Sequence, residues 1–217
     1  MDNEYQETVQ KSFKNLKIAS LLTIIETIVG IVFTVFVMYI VISIILTGLS
    51  KNIIPGNIDK YIITSILSND YVILIFAAFY VSFVGIGVYS IYLYSKSVSL
   101  LSSFNKSLEG PAKFSKYLYL IILIIDIFEV IYIALEFNFL ANISLSVIYI
   151  VIGIIVFLLV LYLYIDIYRI GVIYNNSSIR LAVIFYFIPM LDIVAPFLLY
   201  SGSKKLLSTY EKKEIIN

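Results

Sequence analysis

Asp126 and Glu129 lie three residues apart inside an otherwise apolar stretch, Tyr119-Leu-Ile-Ile-Leu-Ile-Ile-Asp126-Ile-Phe-Glu129-Val-Ile-Tyr132-Ile-Ala-Leu-Glu136. On a helix that spacing puts both carboxyls on one face. Two carboxyls on one face repel, which favours protonation of at least one. Such a pair can relay protons, hold a hard cation through oxygen ligands, or hydrogen-bond as neutral acids to hydroxyls of other helices. Glu26 and Asp192 are two further acids within apolar stretches. Together the four define a candidate polar interior or ion pathway.

Other chemistry is closed by composition. The chain has no Cys, His or Trp. Thiolate nucleophiles, disulfides, His/Cys zinc sites, haem ligation by His or Cys and Ser-His-Asp triads therefore cannot form. No H-E-x-x-H, P-loop or Gly-x-Gly-Asp motif occurs. General acid–base work by Asp126 and Glu129 is chemically open. Nothing in the sequence supplies a nucleophile or a cofactor site beside them, so neither an enzyme nor a bound cofactor is expected.

The elements that must position these acids are five apolar runs: Ile18–Leu46, Tyr71–Tyr94, Tyr117–Leu135, Leu145–Tyr168 and Leu181–Tyr200. A hydrocarbon core of ~30 Å needs about 20 helical residues. The 217 residues are 61% hydrophobic and 13% charged, against roughly half and a quarter in soluble domains. Lipid must cover much of this surface. The expected fold is an all-α polytopic membrane bundle of five apolar segments. Residues 1–17 form an N-terminal segment, 18–203 the transmembrane domain and 204–217 a charged tail.

In residues 1–17, Tyr5, Val9, Phe13 and Leu16 recur at helical spacing. The stripe fits a short helix lying in the membrane interface, or simply the start of the first span. Thr23, Thr27, Gly30 and Thr34 in the first run, and Ala78, Ser82, Gly85 and Ser90 in the second, are small residues suited to close helix approach. Gly171 and Asn175-Asn176-Ser177-Ser178 read as the turn after the fourth run.

The fifth run differs from the others, because it contains Pro189, Asp192 and Pro196. A proline inside a helix removes a hydrogen bond and clashes with the preceding turn. Pro189 and Pro196 are candidate helix breaks, and the run is either a kinked span or a re-entrant hairpin. Loop charges bear on the choice, since Lys and Arg favour the cytoplasmic side. The N-terminal tail carries three, the second connection four, the fourth two and the C-terminal tail four. The first connection carries two and the third none. With the N-terminus inside, five crossings split these bases nine to six. A fifth run that turns back splits them thirteen to two.

The net charge of +1 and the scattered bases give no argument for nucleic acid. The partners expected are the lipid bilayer and, within it, further copies of the chain or other membrane proteins. Two readings of the acids stand: interhelical glue, or a proton or cation pathway.

The start Lys14-Asn-Leu-Lys17-Ile-Ala-Ser20-Leu-Leu, the segment Tyr168-Arg169-Ile-Gly171 and the end Ile188-Pro189-Met-Leu-Asp192-Ile-Val-Ala-Pro196-Phe-Leu-Leu-Tyr200 resemble a group of crenarchaeal multi-pass membrane proteins. That group is known only as a domain of unknown function. The resemblance implies a helical fold in an archaeal cytoplasmic membrane, and a helix that stops at Gly171. It transfers no active-site residue.

Overall fold

The computed structural model describes residues 3–50, 64–66, 70–109, 117–128 and 143–216, and every regular element among them is helical. The helices are α1 (Asn3–Ser50), α2 (Asp70–Ser102), α3 (Tyr117–Phe128), α4 (Ile143–Ile173), α5 (Ser177–Tyr186) and α6 (Ala195–Ile216). A 3-10 turn covers Lys106–Leu108. Three helical stretches are long and apolar enough to cross a membrane: Glu4–Gly48, Tyr71–Ser102 and Val151–Ile173. The segments Tyr117–Phe128 and Ser177–Tyr186 are apolar but shorter. The protein is therefore a helical membrane protein. In the connection between α1 and α2, residues 64–66 are described and are helical.

Two compact units divide the chain. The first joins the residues up to Ile24 with those from Gly87 onward, and the second is Ile25–Ile86. The first unit holds the core. Val9, Phe13, Leu16, Val98, Leu101, Leu108, Leu163, Ile167, Ile170, Ile179, Leu199 and Leu206 are buried there. Val9, Phe13 and Leu16 belong to the stripe considered for the membrane interface. They are 0% exposed, so that stripe packs against protein instead of lying on lipid. Helix α1 runs unbroken through residue 17, because no Pro or Gly interrupts it before Gly30.

Polar pins fix the register of this core. The hydroxyls of Ser12 on α1 and Ser97 on α2 lie 2.7 Å apart, and each reaches the other's carbonyl oxygen at 2.9 Å. Further along, the Tyr94 hydroxyl lies 3.1 Å from Thr23 Oγ1, which itself donates to the Ala19 carbonyl. Edge-on ring contacts join Phe13 to Tyr174 at 4.9 Å and Tyr5 to Phe104 at 5.0 Å, and a tilted contact joins Phe13 to Tyr210 at 5.6 Å. These contacts bring four segments to one end of the unit: the N-terminal helix, the connection after α2, the turn after α4 and the last turns of α6.

The second unit is a pair of helical stretches held by aromatic stacking. Phe33 stacks on Phe79 at 3.6 Å and meets Phe76 edge-on at 5.1 Å. Three of its hydroxyls donate within their own helices. Thr34 donates to Gly30 O, Thr47 to Ser43 O and Ser82 to Ala78 O. An apolar medium offers no other partner for them.

Candidate functional site

The fifth apolar run is broken. Helix α5 ends at Tyr186, residues 187–194 make turns, and α6 begins at Ala195. Pro189 lies in the turn, where a missing N–H costs no helix bond. Met190 beside it has φ of 70°, and turn bonds run from Leu191 N to Ile188 O and from Val194 N to Leu191 O. Pro196 is the second residue of α6, a first-turn position that needs no intrahelical N–H bond. The two prolines thus bracket the reversal, one in the turn and the other at the start of the returning helix.

The base of the hairpin is locked by one residue. Asn176 Oδ1 accepts from Ile179 N at 3.1 Å, capping α5, and its Nδ2 donates to Gly202 O of α6 at 3.0 Å. Its own N–H donates to Gly171 O of α4 at 2.8 Å. Helix α4 does not stop at Gly171. It continues to Ile173 and ends through Asn175, which takes a φ of 48°. Asn175 N bonds Val172 O and Asn176 N bonds Gly171 O, a left-handed helix stop of the Schellman type. Gly171 serves a different need. A Cβ there would lie 2.9 Å from Arg180 Cγ and 3.1 Å from Arg180 N, so the glycine admits α5 against α4. At Gly202 a Cβ would lie 2.7 Å from Ile179 Cγ1, so that glycine admits α6.

The four acids expected from sequence fall in unlike settings. Asp192 is exposed at the hairpin turn, and its Oδ1 accepts from the neighbouring Ile193 N at 3.0 Å. Glu26 is partly buried on α1 in the second unit. Asp126 is partly buried on α3, on the face that buries Leu118 and Ile122. Glu129 lies outside the described residues, as do Tyr132 and Glu136. Among the described residues no three acidic side chains come together as a metal site.

A fifth acid sits deeper than Glu26, Asp126 and Asp192. Asp166 on α4 has a side chain only 1% exposed. Its Oδ1 accepts from Arg169 at a long 3.4 Å, and Oδ2 has no hydrogen-bond partner. The neighbouring Arg169 at i+3 suggests an exposed ion pair. The better signal was the spacing of Leu163, Ile167 and Ile170, all buried on the same face of α4.

Outside the membrane-spanning runs, burial pushes the Tyr174 phenol well above its ordinary value, and the neighbouring Tyr5 and Tyr210 add to the shift. Burial also raises Tyr210, with Tyr5 contributing. Both stay neutral hydroxyls across the physiological range. An open apolar groove of about 390 Å³ runs along α4, lined by Ile155, Leu158, Leu159 and Tyr162. Its lining suits hydrocarbon, and among its described lining residues the one polar side-chain group is the Tyr162 hydroxyl.

The helices and their apolar lengths define a helical membrane protein whose polar ends are gathered by a terminal hairpin. Residues 10–215 match the family described as protein of unknown function (DUF973), and the chain belongs to that family. No curated protein and no solved structure matches it.

Proposed function

We propose that this chain is a non-enzymatic structural or interaction component of an archaeal cytoplasmic membrane, with its N-terminus in the cytoplasm. Four runs cross the bilayer, and the fifth enters and returns as the α5–α6 hairpin. The observation that carries this reading is the contact of Tyr210 with Phe13 and Tyr174, at 5.6 and 6.2 Å. It supports both tails on one side, which is the arrangement that splits the bases thirteen to two. Helix α5, ten residues long, rises about 15 Å, roughly half of a ~30 Å hydrocarbon core. Partners would be lipid and other membrane proteins, copies of this chain included.

A tag on each tail, probed with protease on sealed right-side-out vesicles, tests the topology. Both tags should be protected, and cleavage of the C-terminal tag alone would sink the hairpin. The second reading, a small proton- or cation-conducting protein, draws on the buried Asp166 with its unpartnered Oδ2. Flux into liposomes containing the wild type, Asp126→Asn, Glu129→Gln and Asp166→Asn separates the two. Equal leak from all four sinks the pathway, and flux abolished by any one change sinks the structural reading.

A further inference from the structure

Helices α1 and α6 pack antiparallel: Phe13 meets Tyr210 at 5.6 Å, and further along α1 Lys17 Nζ lies 5.9 Å over the Tyr200 ring. Lys14 falls between these contacts on α1, and Lys204 falls between them on α6. Lys14 and Lys17 share a face by their spacing of three, as Tyr200 and Lys204 do by their spacing of four. Lys14 and Lys204 are exposed. Among the described residues none of the three lysines makes an ion pair. One seam thus concentrates positive charge that no ion pair among the described residues offsets.

The same seam turns apolar in the direction of the first span. Leu21, one turn beyond Lys17, is 44% exposed, and Phe197, one turn before Tyr200, is 47% exposed. Basic groups at one level and open hydrocarbon at the next match the two parts of a phospholipid. An anionic headgroup beside juxtamembrane lysines gains about 1 kcal/mol per lysine. The ring of Tyr200 keeps the Lys17 ammonium at the seam.

We infer that the α1–α6 seam is a binding site for an anionic phospholipid. Lys14, Lys17 and Lys204 take the phosphodiester, and Leu21 and Phe197 contact the acyl chain. This rests on the membrane reading above and adds a ligand class to it.

The test uses the full chain in nanodiscs of phosphatidylcholine with phosphatidylglycerol as the minor lipid. Lipids retained after detergent extraction are counted by native mass spectrometry. Wild type should retain phosphatidylglycerol over phosphatidylcholine. Lys14→Gln, Lys17→Gln and Lys204→Gln should each weaken that preference about fivefold, and the triple change on the order of a hundredfold. Lys17→Arg should keep it, and so should Lys106→Gln, at an exposed base off the seam. Phe197→Ser should lower retention of both lipids without changing their ratio. No preference in wild type overturns the site, as does an equal loss from Lys106→Gln. Displacement by inorganic phosphate beyond that by chloride of equal ionic strength assigns the seam to soluble anions and overturns the lipid. Melting of each variant in the same discs separates lost binding from lost fold. Tail access measured on the same protein reports the topology independently, so failure of the hairpin and failure of the lipid site are distinguishable.

Discussion

One helix meets two environments. Over its first turns α1 buries Val9, Ser12, Phe13, Leu16, Ala19 and Ser20 to 0% exposure. From Ile25 to Thr47 it buries no residue fully, and Val32, Val35, Met38 and Tyr39 are each more than half exposed. Both stretches are apolar. In the first, apolar side chains lock against other helices, and Ser12 reaches across to Ser97, while Ser20 bonds Leu16 O of its own helix. In the second, the helix presents many side chains outward, and Thr34 and Thr47 donate to its own backbone. The first stretch has water available at its polar end, so burial there is driven by the hydrophobic effect. The second is suited to lipid, where apolar contact between helices gains little over contact with acyl chains.

That contrast is best broken with Phe13 and Phe33. Phe13→Ala removes a fully buried ring touching Tyr174 and Tyr210, and should cost about 3–5 kcal/mol. Phe33→Ala removes a ring stacked on Phe79 in a setting without water, and should cost about 1 kcal/mol. Unfolding in mixed micelles measures both. Equal losses would mean that the two parts of α1 are held by the same force.

A glycine pair sharpens the same point. Gly202→Ala places a methyl 2.7 Å from Ile179 Cγ1 and 2.9 Å from Asn176 Oδ1. Overpacking of this kind costs about 1–3 kcal/mol, and the pin from Asn176 to Gly202 O should loosen with it. At Gly85 a Cβ meets nothing within 4 Å, so Gly85→Ala should be neutral or stabilise by up to about 1 kcal/mol through helix propensity. Melting temperatures that move in opposite directions support the contrast. Destabilisation by both changes would show a neighbour at Gly85 that this packing lacks.

Hydroxyls give a third comparison of smaller size. Ser12→Ala removes the buried bond from the Ser12 hydroxyl to Ser97 O, while the Ser97 hydroxyl keeps the carbonyl of residue 12, a loss of about 1 kcal/mol. Thr34→Ala deletes only a bond to its own helix at Gly30 O, and should change stability by less than about 0.5 kcal/mol. A Thr34 loss as large as that of Ser12 would place a second helix against Thr34.

Local pattern made some of this legible and left the rest hidden. Runs of apolar residues announced helices of membrane length, because length and hydropathy are local quantities. Pro189 and Pro196 announced the break in the fifth run for the same reason, since a proline acts on its own turn. What the stripe Tyr5, Val9, Phe13 and Leu16 packs against could not be read, because lipid and protein are equally apolar. Gly171 looked like a helix stop, yet the space it leaves is taken by Arg180, a residue on the next helix. Asn176 looked like an ordinary turn residue. Its role in joining α4, α5 and α6 depends on Gly202, far along the chain. Asp166 sits three residues before Arg169, a spacing that accounts for it as an ion pair and says nothing of its depth. The candidate site was legible as residue types within apolar runs, while depth and partners came only from the packing.

The weakest effect near neutral pH becomes a sizeable one in alkali, and it acts in the packed region. Tyr174 in the packed end has its phenol raised above the ordinary value of about 10, first by burial and then by Tyr5 and Tyr210. Its folded state holds the proton more tightly than the unfolded chain does. The stabilisation tied to that neutral phenol is therefore complete below pH ~10, and is lost as pH rises through the folded value. Unfolding followed from pH 8 to 12 should steepen above pH ~10 in the wild type. Tyr174→Phe should flatten that limb, because Phe carries no proton to lose. An unchanged alkaline limb in Tyr174→Phe would assign the pH dependence to other tyrosines and remove Tyr174 from the core's electrostatics.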